Sequence, residues 1–179
     1  MHSVRIQSAT DALYPRFRQA CDASFPANER RGPEAQDAAF ADPRYRLDIW
    51  LDGDSFIGFM GWWDFGDFRY VEHVAVAPEL RSGGYGKKLL RAWMNSAPTP
   101  VWLEIEEVVD EPTRRRLGFY KRLNFMENPG VHMQPPYQGN GGGVPLQVLS
   151  WPDGLDQAQH KRFIDLLHKD VWANLGSKA

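Results

Sequence analysis

The segment VAVAPELRSGGYGKKLLRAW, residues 74–93, decides the fold because it joins two kinds of pattern across a cluster of glycines. Small apolar residues alternate before Pro78, which predicts a strand, and apolar residues recur at helical spacing from Leu89 to Trp93, which predicts a helix. The first four N–H groups of a helix lack intrahelical acceptors, and the helix dipole adds partial positive charge there. The glycines therefore predict a backbone site for a phosphate group, with a tight turn and no ligand as the alternative.

Two common phosphate-binding motifs do not match this turn. The dinucleotide fingerprint needs a third glycine where Leu89 stands, and the Walker pattern needs Ser or Thr where Lys88 stands. Arg81, Lys87 and Lys88 place positive charge beside the turn, which would strengthen the binding of an anion. The pattern alone thus fits a phosphate-bearing ligand and a bare tight turn alike, and it leaves the identity of any ligand open.

Composition limits the classes of protein to which the chain can belong. Its 179 residues, 42% of them hydrophobic, suffice for one packed core, so we expect a single domain over residues 1–179. The formal net charge of -2 gives no electrostatic footprint for nucleic acid, which is not an expected partner. The sequence shows no targeting segment and no apolar run long enough for a membrane span, so we expect a cytoplasmic protein without a membrane partner. Cys21, the only cysteine, fits the apolar side of a helix and leaves no disulfide and no thiolate metal site.

The rest of the chain alternates between strand and helix patterns. A strand and a helix precede an irregular segment, and an antiparallel meander follows from Tyr45 up to the glycine turn. After that turn we expect a helix, a strand at 100–106, a helix ending near Asn124 and two further strands. A final apolar stripe predicts a C-terminal helix over 155–175, which either covers the sheet or bridges two copies of the chain, so monomer and homodimer are both open. The fold class is therefore mixed α+β.

Two segments of the chain resemble the GNAT superfamily of N-acetyltransferases. Arg81, Gly84 and Gly86 match the acetyl-CoA motif of that family, written Arg/Gln-x-x-Gly-x-Gly/Ala. Downstream, RRLGFYKRLNF is similar to the family's Phe-Tyr-x-x-x-Gly-Phe segment, with Asn124 in place of the glycine. Asn also tolerates positive φ, so this departure is mild. The resemblance covers residues 3 to 150 and has specific motifs only within 74–90 and 115–125.

This resemblance implies a fold and a cofactor. The expected fold is a twisted, mostly antiparallel sheet of six or seven strands, flanked by helices, in which two parallel strands splay apart and admit the pantetheine arm of acetyl-CoA. Backbone groups of Val74, Ala75 and Val76 would pair with that arm. Arg81 and the turn that follows it would hold the pyrophosphate through Ser82, Gly83, Gly84, Tyr85, Gly86 and Lys87. No metal is expected.

The resemblance also suggests catalytic roles. Tyr120 matches the family tyrosine that faces the CoA sulfur, and a phenol of ordinary pKa, ~10, can donate a proton to the departing thiolate. Glu72 is the first candidate for the base, because strand alternation places it on the face of Val74 and Val76. The same alternation turns His73 to the other face, which favours a structural role for it.

The acceptor is expected to be a primary amine of a small molecule or a peptide. Glu29 and Glu104 are the competing base candidates and, with Tyr137, the candidate substrate contacts. Glu104 begins an acidic run that would favour a cationic amine, although a solvated charged loop is the preferred explanation of such a run. A non-catalytic acyl-CoA sensor is the alternative function, since it would keep the glycine turn and need neither Tyr120 nor a base.

Overall fold

A seven-stranded sheet forms the centre of the protein in the computed structural model, which describes residues 1–139, 141–173 and 175. The order of its strands is β1-β2-β3-β4-β5-β7-β6. The strands are β1 (His2–Ile6), β2 (Tyr45–Asp52), β3 (Ser55–Asp64), β4 (Arg69–Val76), β5 (Val101–Glu106), β6 (Met126–Gln134) and β7 (Val144–Trp151). Every neighbouring pair is antiparallel except β4 and β5, which are parallel. The expected meander and the expected mostly antiparallel sheet with one parallel pair are confirmed.

Helices cover both faces of this sheet, because the strands carry apolar side chains on both sides. The helices are α1 (Tyr14–Asp22), α2 (Pro33–Ala41), α3 (Tyr85–Met94), α4 (Glu111–Lys121) and α5 (Gln157–Leu166), with short 3-10 turns at Ala27–Glu29 and Pro78–Leu80. One face, called here the front face, packs against α1, α2 and α5, and the other, the back face, packs against α3 and α4. The two faces thus belong to two separate hydrophobic clusters.

The end of α4 confirms the expectation drawn from Asn124. This residue follows the helix with a φ of 65°, in the left-handed region that the chain needs to leave the helix and enter β6. The start of α4 is fixed by a reciprocal pair of hydrogen bonds. The side chain of Asp110 accepts the N–H of Thr113 at 2.9 Å, and the hydroxyl oxygen of Thr113 accepts the N–H of Asp110 at 3.1 Å. The helix that carries Tyr120 is therefore fixed at both ends.

The C-terminal helix packs on the front face of its own chain. It continues beyond α5 as one π-helical turn, Leu167–Val171. Phe163, Leu167 and Val171 are almost fully buried in the front cluster. Of the two roles expected for this helix, covering the sheet is the one the structure shows. Asn174 and residues 176–179 of the predicted segment lie outside the described residues. Among the helices that the structure describes, none is both long and apolar enough to cross a membrane.

Candidate active site

The parallel strands β4 and β5 pair only at their beginnings. Arg69 lies opposite Val101, Tyr70 opposite Trp102 and Val71 opposite Leu103, after which the two strands separate. The space between them is a cleft of about 310 Å³. Its walls include Ser24, Phe25, Glu72, Val74, Ala75, Val76, Arg81, Glu104, Arg116 and Tyr120. A volume of this size suits a small ligand or one arm of a larger one.

A β-bulge in β4 sets the direction of two side chains in this cleft. Gly61 of β3 lies opposite His73 and the next residue, Trp62, lies opposite Val71, so Glu72 is an extra residue in β4. Glu72 and His73 therefore project from the same face, the front, where both contact Tyr137. The prediction that Glu72 shares the face of Val74 and Val76 is wrong, because the bulge breaks the alternation on which it depended. His73 does lie on the face opposite Val74 and Val76, but Glu72 lies there with it.

The carboxylate of Glu72 is buried and fully engaged. Its Oε1 accepts Arg31 Nε at 3.0 Å and the Tyr137 hydroxyl at 2.9 Å, and it lies 2.8 Å from Arg31 Nη2. Its Oε2 accepts Trp63 Nε1 at 2.7 Å. Burial raises the pKa of Glu72, but the charge of Arg31 and these hydrogen bonds outweigh burial and hold the pKa below its usual value. The role of Glu72 as a base stays a prediction, and these contacts weigh against it.

His73 is a packed side chain next to this carboxylate. Its Nε2 donates to the carbonyl oxygen of Glu29 at 2.7 Å, and its ring lies 4.9 Å from that of Phe25. Burial lowers the pKa of His73, although the charge of Glu72 partly opposes that shift. A neutral imidazole with a fixed backbone partner fits the structural role expected for His73.

Glu104 reaches the cleft from β5, on the same face as Glu72. Its Oε2 accepts the hydroxyl of Tyr70 at 2.7 Å, and its Oε1 contacts Nε2 of His132. Its side chain is only 3% exposed, so these two contacts replace water as its hydrogen-bond partners. His132 was missed by the sequence reasoning, because nothing in the pattern of β6 links it to β5.

Tyr120 lines the cleft from the opposite side. It lies on α4 and is buried, with 8% of its surface exposed. The centroid of its ring lies 5.1 Å from that of Phe119 and 5.5 Å from that of Phe125. Burial raises the pKa of Tyr120 to about 12, against the opposing effect of the charge of Arg116. The phenol is therefore protonated at neutral pH and can act as a hydrogen-bond donor into the cleft.

The glycine turn forms the outer end of the same opening. Gly84 caps α3 with a φ of 77°, and Ser82 also has a positive φ, 67°. Lys88 N–H makes a hydrogen bond to Gly84 O at 3.2 Å. The three preceding helical residues, Tyr85, Gly86 and Lys87, therefore present their N–H groups outward. Around them is a second, adjoining cleft of about 470 Å³, lined also by Val74, Ala75, Val76, Arg81, Phe119 and Tyr120.

Arg81 and Lys88 take different positions beside the turn. The exposed side chain of Arg81 donates to Ser24 Oγ at 2.9 Å and to Val76 O at 3.3 Å, so it crosses the edge of the cleft. Lys88 instead lies over the ring of Tyr85, 5.4 Å from its centre. Arg81 and Lys87 line the cleft at the turn, and Lys88 does not.

Two irregular segments close the front of the site. Tyr137 N–H donates to Asn28 O at 2.8 Å, and Gln138 Nε2 donates to Arg30 O at 2.8 Å. These bonds join the loop before α2 to the loop between β6 and β7, whose Asn140 lies outside the described residues. Glu29 lies in the first of these loops, where burial and then Glu106 raise its pKa while Arg116 lowers it. Among the residues described, no group of three or more His, Cys, Asp or Glu side chains could hold a metal ion.

Comparison with known proteins identifies the family. The model of the acetyltransferase (GNAT) family matches residues 10–125, more than half of the chain. The chain belongs to the GNAT acetyltransferase family. Its residues 126–134 and 144–151, the two last strands, lie beyond the match and complete the sheet of this GNAT acetyltransferase. None of the curated proteins matches it in sequence.

Solved structures agree with this assignment. A protein from Bacteroides thetaiotaomicron, described as an acetyltransferase of the GNAT family, is 32% identical over 96% of this chain and 98% of its own, with a TM-score of 0.86. An aminoglycoside 6'-N-acetyltransferase complexed with coenzyme A is 14% identical, over 86% of this chain and 100% of its own, with a TM-score of 0.62. The ribosomal-protein-S18-alanine N-acetyltransferase from Escherichia coli is 16% identical over 87% and 96%, with a TM-score of 0.61. At such low identity the last two show the fold of this GNAT acetyltransferase and not its substrate.

The structure brings most of the predicted site residues of this GNAT acetyltransferase to one opening. The residues predicted to bind the cofactor line its outer end, except Gly83, which lines neither cleft. Tyr120 lines its back wall, and Glu72 and Glu104 line its front wall. Tyr137 donates its hydroxyl to the carboxylate of Glu72, and the backbone carbonyl of Glu29 accepts a hydrogen bond from His73. Arg31, which is buried, and His132, which is partly buried, are the partners that the sequence did not reveal.

Proposed function

We propose that the chain transfers the acetyl group of acetyl-CoA to a primary amine of a small molecule or a peptide. The observation that carries this proposal is the opening between β4 and β5. It runs from the glycine turn at Gly84 to the walls that hold Tyr120 and Glu104. One continuous opening can therefore hold a phosphate group at its outer end and the reacting groups at its inner end.

The residues at the outer end fit the pyrophosphate of CoA. Tyr85, Gly86 and Lys87 offer N–H groups at a helix start, and the space that a side chain at Gly84 would occupy is open. Beyond the last β4–β5 pair, the backbone of Val74 to Val76 borders the cleft, where it can pair with the amides of a pantetheine arm. Acetyl-CoA, when bound, supplies an activated acyl carbon and a thiolate leaving group.

Tyr120 fits the role of general acid. Because its pKa is raised to about 12, its phenol is protonated at neutral pH and can donate to the negative charge that develops on sulfur as the C–S bond breaks. A thiolate leaving the acetyl carbon can take that proton while the amine nitrogen forms the new C–N bond. The back-face position of Tyr120 also keeps it away from the carboxylates of the front face.

The front wall fits a cationic acceptor. Glu104 is buried in it, and Glu29 and Tyr137 belong to the two loops that close this side. A carboxylate in a partly closed cleft attracts an ammonium group before it loses its proton. We therefore place the amine on the front face, opposite Tyr120.

Calorimetric titration with acetyl-CoA, CoA, ATP and NADH tests the cofactor. We expect micromolar binding of both CoA species and none of the other two. Release of the CoA thiol is then followed with a panel of primary amines that includes an aminoglycoside and a peptide with a free N-terminal alanine. Absence of binding by either CoA species would overturn the proposed function.

A further inference from the structure

Glu104 and His132 form a pair that spans three strands of the front face. Glu104 on β5 lies opposite Val148 of β7, whereas His132 on β6 lies opposite Leu146 of β7. The imidazole of His132 therefore reaches diagonally across β7 to contact Oε1 of the carboxylate. On the other side, the Tyr70 hydroxyl donates to Oε2 at 2.7 Å.

We propose that Glu104 is the residue that takes the proton from the attacking amine, and that His132 is a positioning residue that holds its carboxylate in place. This inference rests on the proposed function and deepens it. In the step, an N–H bond of the bound ammonium group breaks, and its electron pair becomes the lone pair with which nitrogen bonds the acetyl carbon as the C–S bond breaks. The proton bonds a carboxylate oxygen of Glu104, and the acid formed returns it to water after the product leaves. A second N–H proton goes to water as the amide forms, and the thiolate takes its proton from Tyr120, which regains one from water.

We choose Glu104 over Glu72 as the base because the two carboxylates differ in how many hydrogen-bond donors already occupy them. A carboxylate offers about four lone-pair sites. Glu72 faces four donor atoms, two of them on the permanently charged Arg31, so an added proton would displace a strong partner. Glu104 accepts from Tyr70 and His132 alone among the described residues, which leaves lone pairs for an incoming amine. Neither of its partners is a guanidinium.

The position of Glu104 fits the path of the proton. It lines the same cleft as Tyr120 and Val74, but from the front face, whereas Tyr120 belongs to the back cluster. The proton is thus removed from the amine on one side of the sheet, and another is delivered to sulfur on the other. Separate groups can then act in one turnover without exchanging protons directly.

His132 is held in one orientation. Its ring stacks on Trp172 with centroids 6.0 Å apart and an interplanar angle of 29°. Its Nε2 faces a carboxylate acceptor and so carries the hydrogen, while Nδ1 is buried and finds no partner among the described residues. Because one hydrogen bond and ring stacking fix the orientation of His132, this side chain can hold the carboxylate of Glu104 in one position.

The charged and titratable groups around the pair are few. Tyr70 from β4 and Tyr137 from the β6–β7 loop both have pKa values raised by burial, so they stay neutral donors. Glu72 and Arg31 form an internally compensated ion pair. His160 of α5 faces His132, and its pKa is lowered by burial first and then by His132.

Two nucleophiles separate this role from a structural one. We would measure transfer from acetyl-CoA to the fastest amine of the panel and to hydroxylamine, which is uncharged at neutral pH and needs no proton removed before it attacks. Glu104→Gln should lower kcat/KM for the amine about 100-fold, with hydroxylamine changed less than about 3-fold. The loss for the amine should shrink as the pH rises toward the pKa of the amine. Equal losses for both nucleophiles, or an amine loss under about 2-fold, would overturn the inference.

His168 supplies a matched control for His132. Both imidazoles pack against Trp172, His168 at 4.8 Å between ring centroids, but His132 alone of the two contacts Glu104. His132→Asn should lower transfer to the amine about 10-fold and spare hydroxylamine, and His168→Asn should leave both rates unchanged. Equal losses in the two histidine variants would overturn the positioning role.

A second measurement does not depend on turnover. Nitrogen-15 NMR of the free protein should show His132 as the Nε2–H tautomer, with a proton shift that moves in Glu104→Gln and not in Glu72→Gln. An unchanged shift in Glu104→Gln would overturn the pair. Calorimetry with acetyl-CoA tests the proposed function separately. A protein that binds acetyl-CoA but lacks the Glu104 effects would overturn the role of Glu104 alone, whereas absence of binding would overturn the proposed function.

Discussion

Glu72 and His73 are neighbours along β4 and nevertheless lie on the same face of the sheet, where both contact Tyr137. A regular strand would place one of them among the back-face residues. The bulge instead directs a carboxylate and an imidazole into the same polar cluster beside the opening between β4 and β5. The front wall of the site therefore depends on one irregular residue.

Removing the charge of Glu72 should destabilise the fold. Glu72→Gln leaves the buried guanidinium of Arg31 without its counter-ion, at side-chain exposures of 3% for Arg31 and 1% for Glu72 in the intact pair. We expect the free energy of unfolding in urea to fall by about 3–5 kcal/mol. Asp165→Asn, which breaks the exposed Lys161–Asp165 pair, is the control and should change it by less than about 0.5 kcal/mol. A loss for Glu72→Gln no larger than that of the control would contradict the buried ion pair.

The same carboxylate predicts a pH dependence of stability. Because the folded-state pKa of Glu72 lies below its usual value of 4.5, its contribution is present above that value and is lost as the pH falls through the folded pKa. The free energy of unfolding of the wild type should therefore decrease with falling pH below about 4.5, and more steeply than that of Glu72→Gln. Parallel curves for the two proteins would show that the pKa is not depressed.

Tyr120→Phe separates chemistry from binding. The variant keeps the ring that packs on Phe119 and Phe125 and removes only the proton donor. We expect kcat to fall about 100-fold and the Kd of acetyl-CoA to change less than about 2-fold. Steady-state kinetics and calorimetry on the same preparation measure both. A rise in Kd that accounts for the whole loss would assign Tyr120 to binding.

Gly84→Val should weaken cofactor binding. At a φ of 77° a β-branched residue strains the turn, and its side chain would fill the space open to phosphate. Gly53, in the turn between β2 and β3, has a φ of 56° and equally open surroundings, so Gly53→Val carries a similar backbone strain away from the site. Both variants should lower the melting temperature, but the Kd of acetyl-CoA should rise at least about 10-fold only in Gly84→Val. Equal Kd values would remove the glycine turn from the site.

Cys21 should be unreactive in the folded protein. Burial raises the pKa of its thiol to about 12, and the thiolate is the reactive form. A chromogenic disulfide reagent at pH 8 should detect no protein thiol until urea is added, and then one per chain. The same reagent could then follow CoA release without a background from the enzyme. Rapid labelling of the folded chain would contradict the burial of Cys21.

The sequence predicts the parts of the site that local backbone geometry defines. Alternation and helical spacing predict the meander, α3 and α4, and the tolerance of Asn for positive φ predicts how α4 ends. The turn at Gly84 follows from its position between a strand and a helix. These features depend on a few consecutive residues, so one sequence is enough to see them.

The partners of the front-face carboxylates could not be predicted in this way. A bulge leaves the apolar pattern almost unchanged, so the shared direction of Glu72 and His73 is invisible in the sequence. His132 meets Glu104 across an intervening strand, and Arg31 lies 41 residues from Glu72 along the chain. Such contacts depend on strand order and register, which local spacing does not determine.

The bond from Arg31 Nη2 to the carbonyl oxygen of Val171, 2.9 Å long, joins residues 140 positions apart. Arg31 is one of the first residues of the front wall to be synthesised, and Val171 belongs to the last helical turn among the residues that the structure describes. During translation, α1 and the meander emerge and can begin to fold long before that carbonyl exists. The Glu72 cluster can therefore close only after Val171 has left the ribosome, so the front wall of the site is completed later than α1 and the meander can begin to fold.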